Sequence, residues 1–155
     1  MNGSPMLQIT VIAVGKLKER FWREACDEYL KRLKAYAKVS VVELPDSNAQ
    51  REAALITEAL GKLPADAHKI LLDIQGKEIS SPGLSQKIDS LALSGTSHIA
   101  FIIGGSDGVT KDIKTAASER ISFGPITLPH NLARVVLLEQ IYRAFRISRG
   151  EPYHK

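Results

Sequence analysis

An α/β fold with a mainly parallel sheet is what this chain predicts, and three observations carry that expectation. Short apolar runs alternate strictly with segments of helical periodicity. The chain's 155 residues, 44% of them hydrophobic, suit one domain with a real core and leave no room for a second of ordinary size. No internal repeat or low-complexity stretch interrupts the alternation.

Residues 1–5, ahead of a second methionine, Met6, are expected to be an added leader, leaving 6–155 as a single domain. Leu7 to Val14 is the first strand. Lys18 to Tyr36 reads as a helix with Phe21, Ala25, Tyr29 and Leu33 recurring every fourth residue on one face. Val39 to Leu44 is the second strand, and Asn48 to Leu60 a helix for which Asp46, Ser47 and Asn48 compete as cap. His68 to Ile74 is the third strand. Ser81 to Leu93 is a helix with proline in its first turn, and His98 to Ile103 the fourth strand. A short helix over Lys111 to Ser118 precedes a fifth strand over Gly124 to Leu128, and a long helix runs from Asn131 to Arg149.

The last helix is unusual twice over. At about 100° per residue, Val135, Val136, Leu137, Leu138 and Ile141 cover most of its circumference, so a second surface must bury it, and a partner subunit is the simplest candidate. Further along, Glu139, Tyr142, Arg143, Arg146 and Arg149 share one sector. From Arg134 to Lys155 five basic residues face two acidic ones, giving +3 of the chain's formal +4. Charge concentrated in this way, and ending in Tyr153 and His154, points to a polyanionic partner. A solvated charged face with an ordinary Glu139–Arg143 pair is the blander alternative.

Ligands of open parallel sheets bind beyond the carboxyl ends of the strands. Three loops qualify: Leu72 to Gly76, Gly104 to Gly108, and Pro125 to His130. Gly104–Gly105 would let backbone approach a ligand closely, although a plain strand-to-helix turn accounts for it equally well. The spacing is not a dinucleotide fingerprint, and Gly15–Lys16 is no phosphate-binding P-loop. The lone Cys26 excludes an internal disulfide and reads as a buried thiol. No stretch is apolar enough to span a bilayer and no signal peptide opens the chain, so a cytoplasmic, membrane-free setting is expected. His68, His98, His130 and His154 show no metal-ligand spacing. His130 reads as a capping or packing residue beside Asn131, and Asp107 as a turn former.

Taken together, IIGGSDG at 102–108, ISFGPITLPH at 121–130, RVVLLEQIYRAFRI at 134–147 and RGEPYHK at 149–155 resemble the ribosomal RNA large-subunit methyltransferase H family, SPOUT-class enzymes. The resemblance runs from Met6 to Lys155. It implies a single-domain α/β knot, a SPOUT-type trefoil knot with a five- to six-stranded sheet flanked by helices, an exception to the rule against knotted topologies. It also implies a homodimer that binds S-adenosylmethionine, uses no metal, and methylates N3 of a pseudouridine in 23S rRNA of the assembled ribosome. The implied cofactor contacts fall on Leu72, Gly104, Gly105, Gly124, Pro125, Ile126, Thr127, Leu128 and Pro129.

Transfer from a sulfonium to a protonated ring nitrogen needs in-line positioning and removal of the N3 proton. Tyr153 and His154 are expected to orient the base and ease its deprotonation, with His154 the better base because imidazole is largely neutral near pH 7. Arg143, Arg146, Arg149 and Lys155 are expected to hold RNA phosphates. A SPOUT-class enzyme acting on another RNA such as tRNA, and a non-enzymatic α/β RNA- or nucleotide-binding module, are the rival readings.

Overall fold

In the computed structural model, which describes residues 6–153, five strands and five helices alternate along the chain. They are β1 (Gln8–Val14), α1 (Arg20–Leu33), β2 (Lys38–Leu44), α2 (Ala49–Gly61), β3 (His68–Glu78), α3 (Ser81–Leu93), β4 (His98–Ile103), α4 (Lys111–Ala116), β5 (Glu119–Ser122) and α5 (His130–Ser148). All four strand pairings are parallel, in the order β2-β1-β4-β3-β5. The expected leader lies outside the described residues.

The central strands explain the layering. Every residue of β4, and every residue of β1 but Gln8, is buried, as expected of strands covered on both faces. Alternation sorts their side chains. Ile9, Val11, Ala13, Ile99, Phe101 and Ile103 point into a core shared with α1, α3 and α5, whereas Ile12, Val14, Ala100 and Ile102 face α2 and α4.

Three expectations need correcting. The fifth strand is Glu119–Ser122, and 123–129 is a loop. The real strand is short and lies at the edge of the sheet, where Glu119 holds His68 and Lys87 and Arg120 holds Asp73, so its polar letters disguised it. Phe21 is 61% exposed; of the expected face Leu33 is buried and Tyr29 packs on the core, joined there by Cys26, Trp22 and Leu30. Finally, α5 begins at His130 behind Pro129, not at Asn131, and no side chain caps it.

The second apolar side of α5 is met by the chain's own helices. α5 packs between α1 and α3, with Leu137, Leu138 and Ile141 fully buried and the Ser85 hydroxyl donating to the Ala144 carbonyl at 2.7 Å. Each such aliphatic side chain contributes roughly 1.5–3 kcal/mol. Its apolar circumference therefore does not by itself call for a partner.

Candidate active site

The sheet order places a switch point between β1 and β4. From β1 the chain leaves through α1 toward β2 on one side, and from β4 through α4 toward β5 on the other, opening a crevice beyond their carboxyl ends. Gly15 lies at the end of β1, with φ +101°, and Gly104–Gly105 at the end of β4. The Gly104–Gly108 turn closes through the Gly108 N–H donating to the Gly105 carbonyl at 3.0 Å, with Gly108 at φ +78°.

The third loop is brought over this crevice from the far edge. β5 lies three strands from β1, about 14 Å at the usual strand spacing. Residues 123–129 make that return journey, and α5 then begins beside β1. There the His130 ring fills the space over Gly15, where a Cβ would stand 2.7 Å from Nε2. Packing is thus the role the structure gives His130. Arg134, one turn on and only 3% exposed, donates to the Gly15 carbonyl and to Glu43 Oε2, both at 2.6 Å. Burial pushes the Glu43 carboxyl up, but the Arg134 hydrogen bond and the Leu17 N–H outweigh it and bring the group below its ordinary range. Sequence reasoning counted Arg134 only as charge; nothing in its spacing marks it as the pin between α5, β1 and β2.

Leu72 is half-buried against the core where the β3–β5 ladder breaks. Ile121 is opposite both Leu72 and Lys77, so Asp73 to Gly76 bulge out beyond the sheet. Gly76 is required there, since a Cβ would lie 2.7 Å from the Arg120 carbonyl carbon. Gly124, at φ +112°, starts the return loop, and its N–H donates to the Ser122 hydroxyl at 3.0 Å. Pro125, Ile126, Thr127 and Pro129 are exposed, Ile126 by 77%, while Leu128 is half-buried. The loops form an open shelf. Two hollows lie elsewhere: about 680 Å³ beside α3, lined by Lys77, Lys87 and Glu119 among others, and about 560 Å³ near the amino ends of β1 and β2.

The shelf is an apolar and backbone surface of three converging loops on a parallel sheet, and its sequence has known relatives. A family model described as "Predicted SPOUT methyltransferase" matches residues 7–154. The chain belongs to the SPOUT methyltransferase family. Proteins of Bacillus cytotoxicus, Bacillus thuringiensis and Bacillus cereus, each described as "Ribosomal RNA large subunit methyltransferase H", are 48% identical to it over 159 residues. Those alignments cover 96% of this chain and 100% of each relative. As a SPOUT methyltransferase the chain is an enzyme, and the family implies S-adenosylmethionine as methyl donor.

The carboxyl-terminal end of this SPOUT methyltransferase is folded back on α5. Gly150, at φ +63°, forms a Schellman turn in which the Glu151 N–H reaches the Arg146 carbonyl and the Gly150 N–H the Ile147 carbonyl. The Tyr153 hydroxyl then donates to Glu139 Oε1 at 2.6 Å, with the Arg143 guanidinium 4.1 Å from the Tyr153 ring centre. Burial and the bond to Glu139 push the Tyr153 phenol well above its usual range. Arg143 pairs with Glu139 at 3.0 Å, and Arg146 reaches the Tyr36 hydroxyl, Glu151 and the Pro152 carbonyl. Arg149, exposed, lies 4.7 Å over the Tyr36 ring. The structure thus brings Tyr153, Arg143 and Arg146 together around Glu139 and Glu151, apart from the loops that follow β3, β4 and β5. His154 and Lys155 lie outside the described residues. Among the described residues, no helix is long and apolar enough to cross a membrane.

Proposed function

We propose that this chain is an S-adenosylmethionine-dependent methyltransferase of large-subunit ribosomal RNA, methylating N3 of a pseudouridine in 23S rRNA as a cytoplasmic homodimer. The observation that carries this reading is the match to relatives named for large-subunit rRNA methylation, which extends over their whole length.

The loops fit the cofactor. Gly104 and Gly105 present backbone without side chains, and Leu72, with Ile126 and Leu128 of the Gly124–Pro129 strap, supplies apolar surface for an adenine. S-adenosylmethionine supplies the electrophilic methyl group. The chain's own residues must then position the base and take its N3 proton. Tyr153, a hydrogen-bond donor to Glu139 with a raised pKa, is suited to orienting the base and not to accepting the proton. That leaves the proton to His154. Arg149 and Lys155, with Arg143 and Arg146 behind them, would meet the RNA phosphates.

Distance supports the dimer. Glu139, which anchors Tyr153, is nine residues beyond the start of α5, about 14 Å along its axis from the strap. A tail docked this way lies away from the strap of its own chain, so a second copy would have to supply the tail that meets it. The trefoil crossing belongs to the same proposal, with the 123–129 segment that returns from the edge strand as the part of the chain that would thread it.

Methyl transfer from radiolabelled S-adenosylmethionine to ribosomes lacking the modification tests the reading. Label in 23S rRNA at a pseudouridine is expected. Label in tRNA with none in ribosomes would move the enzyme to a different substrate, and none in either would reject the proposal.

A further inference from the structure

Glu52 stands out among the buried groups that the site leaves unexplained. It sits in the first turn of α2 and is 4% exposed. Oε2 accepts the Ser47 N–H at 2.7 Å, while Oε1, also out of contact with solvent, has no partner. A carboxylate oxygen held dry and unpaired is costly, and such groups persist where another state of the molecule uses them.

Its neighbour is the glycine turn of the switch point. A Cβ on Gly105 would fall 2.7 Å from Glu52 Oε1, 3.0 Å from Oε2 and 3.1 Å from Val14 Cγ1. Gly105 therefore lacks a side chain on the side facing Glu52, and the carboxylate comes up directly beneath its backbone.

We infer that Glu52 is a positioning residue for the cofactor wall: its open oxygen takes a backbone N–H of the Gly104–Gly108 turn when that turn closes on bound S-adenosylmethionine. The inference rests on the assignment of these loops to the cofactor. Glu52 touches no reacting atom; it acts through the turn. The bond would give Glu52 Oε1 the partner it lacks and so contribute to holding the turn in its closed position.

The test is Glu52→Gln, which keeps size and shape but replaces one acceptor oxygen by a donor amide. Titration calorimetry of purified wild type and variant with S-adenosylmethionine and with S-adenosylhomocysteine reads affinity directly, and melting of the free proteins reads stability. Binding of both ligands is expected to weaken about tenfold, with a matching rise in KM and kcat nearly unchanged, because a charge-assisted hydrogen bond is lost. The melting temperature of the free variant is expected to equal or exceed that of wild type. Unchanged affinity would overturn the inference, as would a fall in melting temperature that tracks the affinity loss, the mark of a merely structural role. A loss confined to S-adenosylmethionine would also overturn it, since only that ligand carries the sulfonium charge. If wild type binds neither ligand, the cofactor assignment itself fails.

Discussion

Arg134 is the residue on which the site's frame depends most. Its guanidinium is buried among α5, the end of β1 and Glu43, and removing it would leave the Gly15 carbonyl without a donor and Glu43 with only the Leu17 N–H. Glu43 reaches solvent, so the cost is chiefly that of the buried Gly15 carbonyl, about 1–3 kcal/mol. Arg134→Met is expected to lower the unfolding free energy by that amount, read as a lower urea midpoint at unchanged denaturant slope. The carboxylates add a pH dependence. In Glu43, Asp73 and Glu119 burial raises the pKa, but hydrogen bonds outweigh it and hold each below its ordinary range. The unfolded chain therefore binds protons more readily at these sites than the native one. Their stabilisation is complete above the unfolded value of about 4 and is lost as pH falls through the folded values. Urea midpoints should decline modestly between about pH 7 and 5, where His98, held below its ordinary range by burial, gains a proton on unfolding, and drop further below about 4. The drop should be shallower in Glu119→Gln, and an equally steep drop there would remove Glu119 from the account.

Elements differ in how plainly the sequence announces them. β1 and β4 read as continuous apolar runs because both faces are covered, and α3 declares itself by Ser80, whose hydroxyl accepts the Gly83 N–H, and by Pro82 behind it. β5 does not, since an edge strand whose side chains make ion pairs lacks the letters of a strand, while Ile126 and Leu128 in the exposed strap have them. Glu52 was legible only in part. Asn48, whose side chain accepts the Arg51 N–H, marks the helix start, and an acid in the following turn is the usual anchor for a preceding N–H, but its closeness to Gly105 is a tertiary fact. At the same scale, Gly124 is needed for its φ of +112°, and nothing within 4 Å would obstruct a Cβ. Gly124→Ala should therefore act through backbone strain alone, costing about 1 kcal/mol or somewhat more. It is expected to weaken S-adenosylmethionine binding far more than it lowers the melting temperature, and equal effects on both would argue that the strap is structural.

Across the whole molecule, the proposed cofactor shelf and the Tyr153 cluster are set apart along α5, with the 121–130 motif leading into the helix and the 149–155 motif leaving it. The four motifs and their order were readable at once; the separation was not, because only the Schellman turn at Gly150 and the Tyr153–Glu139 bond show that the tail lies along its own helix. The basic stripe was legible as charge but not as partnership. Arg143 and Arg146 are tied to Glu139, Tyr36 and Glu151, which leaves Arg149 the most open of the three. Arg149→Ala should reduce the salt dependence of rRNA binding by about one unit of slope, and Arg143→Ala by less. Equal reductions would place Arg143 on phosphate as well.

Subunit complementation tests most directly whether one copy's tail completes the other's cofactor site. A chain carrying Gly124→Ala is mixed, after dissociation, in equal amounts with a chain carrying Tyr153→Ala and His154→Ala, and methyl transfer to unmodified ribosomes is measured. The proposed dimer predicts two impaired parents and a mixture more active than the mean of the two, because half the dimers are mixed and each of those has one intact site. A mixture no more active than its parents would contradict it.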